Sequence, residues 1–105
     1  MSARIANRDA RSYVERRVEF RGSNLYAEHR DRLYCVWSYG EHFPIAVYDF
    51  DVGRWFHNRN RYSSSTSRHQ SRVGYPGEAR STDELTKLID AGGVLQAISR
   101  RLEGW

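Results

Sequence analysis

The sequence predicts an α+β domain in which an antiparallel sheet of four to five strands is packed by two C-terminal helices. Three observations carry this. Apolar and aromatic residues recur in short runs between Gly, Asp and Ser turn signals from Tyr13 to His57. All but one of the fourteen aromatic residues lie between Tyr13 and Tyr75, and such residues favour a pleated, half-buried surface. Apolar positions at helical spacing follow only after Ser81. At 105 residues the chain makes one domain with a single core.

Residues 1–12 mix small, charged and polar types with no sustained apolar stripe, so a flexible N-terminal arm or one frayed helical turn is expected there. From Tyr13, the alternation of Val14, Val18 and Phe20 against Glu15, Arg17, Glu19 and Arg21 reads as a half-buried strand, interrupted at Arg16. Arg21-Gly-Ser-Asn24 is a turn signal, and Leu25 to Glu28 forms a short strand that turns at His29–Arg32.

Leu33 to Tyr39 is apolar on both faces apart from Ser38, which places it centrally, covered by the core on one side and by aromatic stacking or a helix on the other. Gly40 ends it. The next strand starts at Phe43-Pro44, where a missing backbone donor is tolerated because the ladder is only beginning. Asp49 to Gly53 then turns the chain into Arg54-Trp-Phe-His57.

The stretch from Asn58 to Arg72 is polar and free of carboxylates. Its Ser and Thr hydroxyls can bond the local backbone, which predicts an ordered loop or edge strand rather than disorder. The sheet is therefore assigned to residues 13–73 and the helices to 81–103, all within one domain spanning 13–105. Ser81 with Glu84 forms a capping box opening the first helix. Gly92-Gly93 ends it, and Val94, Leu95, Ile98 and Leu102 form the stripe of the second. Both helices are expected on one face of the sheet, making two layers.

The net charge of +4 is unevenly spread: residues 33–53 carry three negative charges and no positive ones, and residues 54–72 carry five positive charges and no negative ones. Sixteen of the seventeen cationic side chains are Arg, whose planar fork pairs bidentately with phosphate and stacks on rings. Base composition of the encoding genome explains the same bias equally well. The single cysteine, Cys35, sits in an apolar run and reads as a small buried hydrophobe. No run approaches a membrane span, and the N-terminus lacks a signal-peptide apolar core, so a cytoplasmic protein without membrane contact is expected. The four histidines show no zinc spacing, and no Gly-rich phosphate loop precedes a helix, so no cofactor or metal is expected.

The run Ser38-Tyr-Gly-Glu-His-Phe-Pro-Ile-Ala-Val-Tyr-Asp49, with Trp55, Asn58 and Tyr62-Ser-Ser-Ser-Thr-Ser-Arg-His-Gln-Ser71, resembles a small uncharacterised domain of phage and plasmid proteins. That domain's pattern is a Ser-Tyr-Gly-x-His-x-Pro strand, a Tyr-Asp hairpin and a closing Tyr-Ser-x-Thr-Thr-Ser-x-His. The resemblance covers roughly residues 18–73, with Ser65-Thr66 standing where Thr-Thr is expected. It implies a mobile-element accessory protein, and a phage-borne inhibitor of host defence of the anti-CRISPR type is one concrete form.

The strongest candidate surface is Arg54, Arg59, Arg61, Tyr62, Arg68, His69 and Arg72. Arginines supply phosphate contacts, and tyrosine or histidine can stack on unpaired bases. The expected partner is nucleic acid or a host nucleoprotein complex, bound without catalysis. Two other readings use the same residues. A small nuclease or phosphoesterase would employ His57 and His69, and a protein-interaction module would use exposed aromatics as anchors. The bland alternative is a solvated edge whose charges prevent aggregation.

Overall fold

The computed structural model describes residues 3–40, 43–61 and 63–102. Its sheet has seven strands in sequence order: β1 (Ala3–Arg4), β2 (Phe20–Arg21), β3 (Leu25–Arg30), β4 (Leu33–Ser38), β5 (Pro44–Asp49), β6 (Arg54–Asn58) and β7 (Glu78–Arg80). The α+β class stands. The expectation of four to five antiparallel strands is corrected, because β2 to β6 form the antiparallel meander while β1 and β7 join its two edges in parallel.

Parallel neighbours need crossovers, and these use segments read as something else. Residues 3–12, expected to be an arm, contain β1, a 3-10 turn at Asn7–Asp9 and the start of α1 (Ala10–Glu15). The strand expected from Tyr13 is therefore helix as far as Glu15, because Ala10 and Val14, one helical turn apart, both bury against the sheet. The chain breaks at Arg17, with φ +54°, and leaves Val18 exposed.

The second crossover is α2 (Ser64–Val73), which replaces the expected loop. Ser63 caps it, its hydroxyl accepting from the Thr66 amide at 3.1 Å. Its buried residues are Thr66, His69, Gln70 and Val73. That is the i, i+3, i+4, i+7 stripe of an amphipathic helix, written mostly in polar residues.

Strands β1 and β6 point the same way and both crossovers step in the same direction across the sheet, so a common hand puts α1 and α2 on one face. They pack there with Phe20, Leu25, Tyr34, Val36 and Ile45. The Arg11 guanidinium donates to the Ser71 carbonyl at 3.0 Å and ties the two helices together. The opposite face carries α3 (Thr82–Ala91) and α4 (Val94–Leu102), packed on Leu33, Cys35, Trp37, Val47 and Phe56. The two expected layers are thus three. Every residue of β4 is buried, as its two-sided apolar pattern predicts. Trp37 and Trp55 belong to opposite cores.

The C-terminal helices form as their sequence predicts, with residue 103 outside the described residues. Ser81 and Glu84 make the reciprocal capping box, and Gly92 takes the left-handed conformation at φ +84°. Strand β7 reaches β6 only because residue 77 is glycine. Its φ is +70°, and a Cβ there would overlap the Trp55 backbone.

The arginine bias has a structural use. Arg17 lies over Tyr48 at 4.6 Å, Arg30 over Trp37 at 4.7 Å and Arg21 over Tyr26 at 4.8 Å, while Trp37 and Tyr26 contact each other at 5.5 Å. Guanidinium planes thereby roof aromatic rings at the margins of the sheet.

Candidate functional site

Four polar side chains form a joint at the end of β6, through which Gln70 ties α2, and Thr82 ties α3, to the sheet. The Asn58 amide, 1% exposed, donates to the Pro44 carbonyl at 2.8 Å and to Thr82 Oγ1 at 2.9 Å, and its Oδ1 accepts from the Asn60 amide at 2.8 Å. Gln70 Nε2 donates to the carbonyls of Asn58 and Asn60 at 2.9 and 3.0 Å. Asn60 Oδ1 accepts from the Thr82 amide at 2.6 Å. Among the described residues no buried side-chain polar atom lacks a partner, so this joint gives the helix one rotational setting.

That setting turns Ser65, Arg68, His69 and Arg72 toward a depression of about 260 Å³, whose other walls are Asn7, Ser23, Asn24 and Tyr39. None of these eight residues is acidic. Among the described residues neither Arg68 nor Arg72 has an ion pair or a ring contact, unlike the roofing arginines.

His69 belongs to both faces of α2. Its Nδ1 lies 2.7 Å from the Ser38 hydroxyl, and its ring stacks on Tyr39 at 5.5 Å and 29°. Burial first, then the charges of Arg68 and Arg72, hold its pKa below the ordinary 6.5. The ring is therefore neutral at neutral pH. The Ser38 hydroxyl can serve either tautomer, since it both donates and accepts.

A hydroxyl beside an imidazole is the pairing a nucleophile needs. Ser38, however, is 1% exposed and does not line the depression, so its chemistry here is to orient the ring. His57, the other histidine of the hydrolase reading, bonds the Pro76 carbonyl through Nδ1 at 3.0 Å and meets Tyr75 edge-on.

Tyr39 is half exposed and carries φ +58°, a left-handed conformation that is costly for a bulky residue. Asn24, opposite, has φ +62°, and its carbonyl accepts the Tyr39 amide at 2.8 Å. The rim is braced further by Asn7, whose side chain exchanges two hydrogen bonds of 2.9 Å with the Ser23 backbone. Local strain of this kind concentrates at binding sites, where surrounding contacts over-determine it.

The seven residues expected to form one surface are divided by the fold. Arg68, His69 and Arg72 meet in the depression. Arg59 instead pairs with Glu84 at 3.1 Å, and Glu84, held first by the Ser81 amide and hydroxyl, has a lowered pKa. Arg61 is exposed and outside the depression. Arg54 opens β6 opposite Asp49, four strand residues from Asn58 or about 13 Å along the strand. Tyr62 lies outside the described residues. The sequence reading missed Tyr39, Asn7, Ser23, Asn24 and Ser65, although Tyr39-Gly40 after a strand is a turn signal that could have marked the rim.

No protein-family model matches the chain, and comparison with curated proteins and with solved structures returns no match. Among the described residues no helix is long and apolar enough to cross a membrane, and no cluster of His, Cys, Asp and Glu could hold a metal ion.

Proposed function

We propose that the protein binds nucleic acid without catalysis, through the α2 face that carries Arg68, His69 and Arg72. One observation carries this reading: two guanidiniums without ion-pair partners among the described residues, a neutral imidazole and a half-exposed tyrosine converge on one depression with no carboxylate among the described residues of its walls. Paired guanidiniums suit phosphate oxygens, and aromatic faces suit bases. The three-layer scaffold, the Gln70 bonds and the Ser38–His69 contact fix the backbone of α2 and the His69–Tyr39 stack, which lowers the entropic cost of binding. The host-defence inhibitor implied by the resemblance would be a particular use of this surface, with the nucleic acid supplied by a host ribonucleoprotein.

The test is binding of labelled oligonucleotides at low salt by the wild type, the Arg68→Ala/Arg72→Ala variant and Arg54→Ala. Loss in the double variant with retention in Arg54→Ala is the expected result. Equal binding by all three, or no binding by the wild type, overturns the reading.

A further inference from the structure

We infer that the depression takes single-stranded nucleic acid, seating one phosphate between Arg68 and Arg72 while an unpaired base stacks on Tyr39. This rests on the reading above and names the form of nucleic acid the site selects.

The ring of Tyr39 has two faces. One lies on His69 at 5.5 Å and 29°, and the residue is nevertheless 50% exposed and lines the depression, which leaves ring surface open to a ligand there. A flat aromatic surface offered to solvent is a platform for another flat ring. In a duplex, base faces are hidden in the stack and only edges and backbone are accessible. A base can cover Tyr39 only where it is unpaired and unstacked.

The cations are placed to hold the backbone of that same nucleotide. Arg68 and Arg72 are one helical turn apart on α2 and flank His69, the residue under Tyr39. A depression of about 260 Å³ lies just below the ~300–1,000 Å³ typical of small-molecule cavities. It suits a phosphate and part of its sugar, with the base outside on the ring. Such stacking is tolerant of sequence, since every base presents a π-face.

The backbone supports the assignment independently. Residue 39 occupies a conformation in which glycine would be at ease, and a tyrosine is held there by the hydrogen bond its amide donates to the Asn24 carbonyl and by His69 beneath it. The neighbouring Gly40 also has positive φ, so the turn itself does not require an aromatic side chain at position 39.

That conformation supplies a clean test. Tyr39→Gly removes the ring while easing the backbone, and Tyr39→Phe keeps the ring. Anisotropy titrations would compare a single-stranded oligonucleotide of mixed sequence with the blunt duplex of the same length. The expected result is a clear preference of the wild type for the single strand, weakened roughly five- to hundredfold by Tyr39→Gly and retained by Tyr39→Phe. Duplex binding as tight as single-strand binding, or a Tyr39→Gly variant that binds the single strand normally, overturns the inference. Should Arg68→Ala/Arg72→Ala lose binding in that case, the nucleic-acid reading survives and only the stacking fails. No binding of either form by the wild type overturns both.

Discussion

The Ser38 hydroxyl on β4 and the Nδ1 of His69 on α2 lie 2.7 Å apart, buried between the central strand and the helix that carries the candidate site. This bond fixes the plane of the imidazole on which Tyr39 rests. It joins the core of the fold to the floor of the depression, so changes on either side should be felt on the other.

The first prediction concerns pH. The folded state holds His69 below its ordinary value of 6.5, so on acidification the unfolded chain takes up this proton first. The neutral-ring contribution is fully present above pH 6.5 and is lost progressively as pH falls from there through the lower folded value. Thermal melts between pH 5 and 8 should therefore show His69→Asn, which keeps a polar atom toward Ser38, losing less stability on acidification than the wild type. Parallel pH profiles would contradict the assignment.

The polar joint gives a second prediction. Gln70→Ala removes the donor shared by the Asn58 and Asn60 carbonyls, leaving a buried acceptor without its partner at a cost of about 1–3 kcal/mol. Urea unfolding measures this. Because the joint also sets the rotation of α2, binding should fall although Gln70 does not line the depression.

A third lies on the far face. Asp49, fully buried at the end of β5, accepts the amides of Asp51 at 2.9 Å and Val94 at 2.8 Å, the latter capping α4 from the sheet. Asp49→Ala should destabilise the fold by about 1–3 kcal/mol. Amide exchange at Val94 should accelerate more than at Leu85.

Gly77→Ala is the fourth. Its Cβ would overlap the Trp55 backbone at a residue with φ +70°, combining overpacking of about 1–3 kcal/mol with left-handed strain. Strand β7 should detach from β6, read as loss of amide protection at Arg80, whose backbone faces β6, while the depression keeps its binding.

The meander was legible because Leu33 to Ser38 and Pro44 to Asp49 carry their burial in apolar side chains, and the α3 start because Ser81 and Glu84 cap it by side-chain identity. Helix α2 was not, since three of its four inward residues, Thr66, His69 and Gln70, are polar and leave no hydrophobic period to read. The turn from Ser63 to Thr66 was the available signal, an N-cap hidden within a serine run. The site was half legible for the same reason. Arg68, His69 and Arg72 stand together in sequence, but the residues facing them come from the 3-10 turn, the β2–β3 turn and Tyr39, up to 65 positions away from Arg72 in the chain. Only the pairing of strands brings those segments to one place.

The most direct measurement is the salt dependence of single-strand binding by the wild type and by Arg68→Ala/Arg72→Ala. Each phosphate neutralised contributes about −0.7 to the slope of log K against log salt on a single strand. The account predicts a negative wild-type slope that the double variant, which loses the one phosphate seated between the two arginines, flattens by roughly 0.7, with affinity lost mainly at low salt. An unchanged slope in the double variant would contradict it and move the binding surface away from α2.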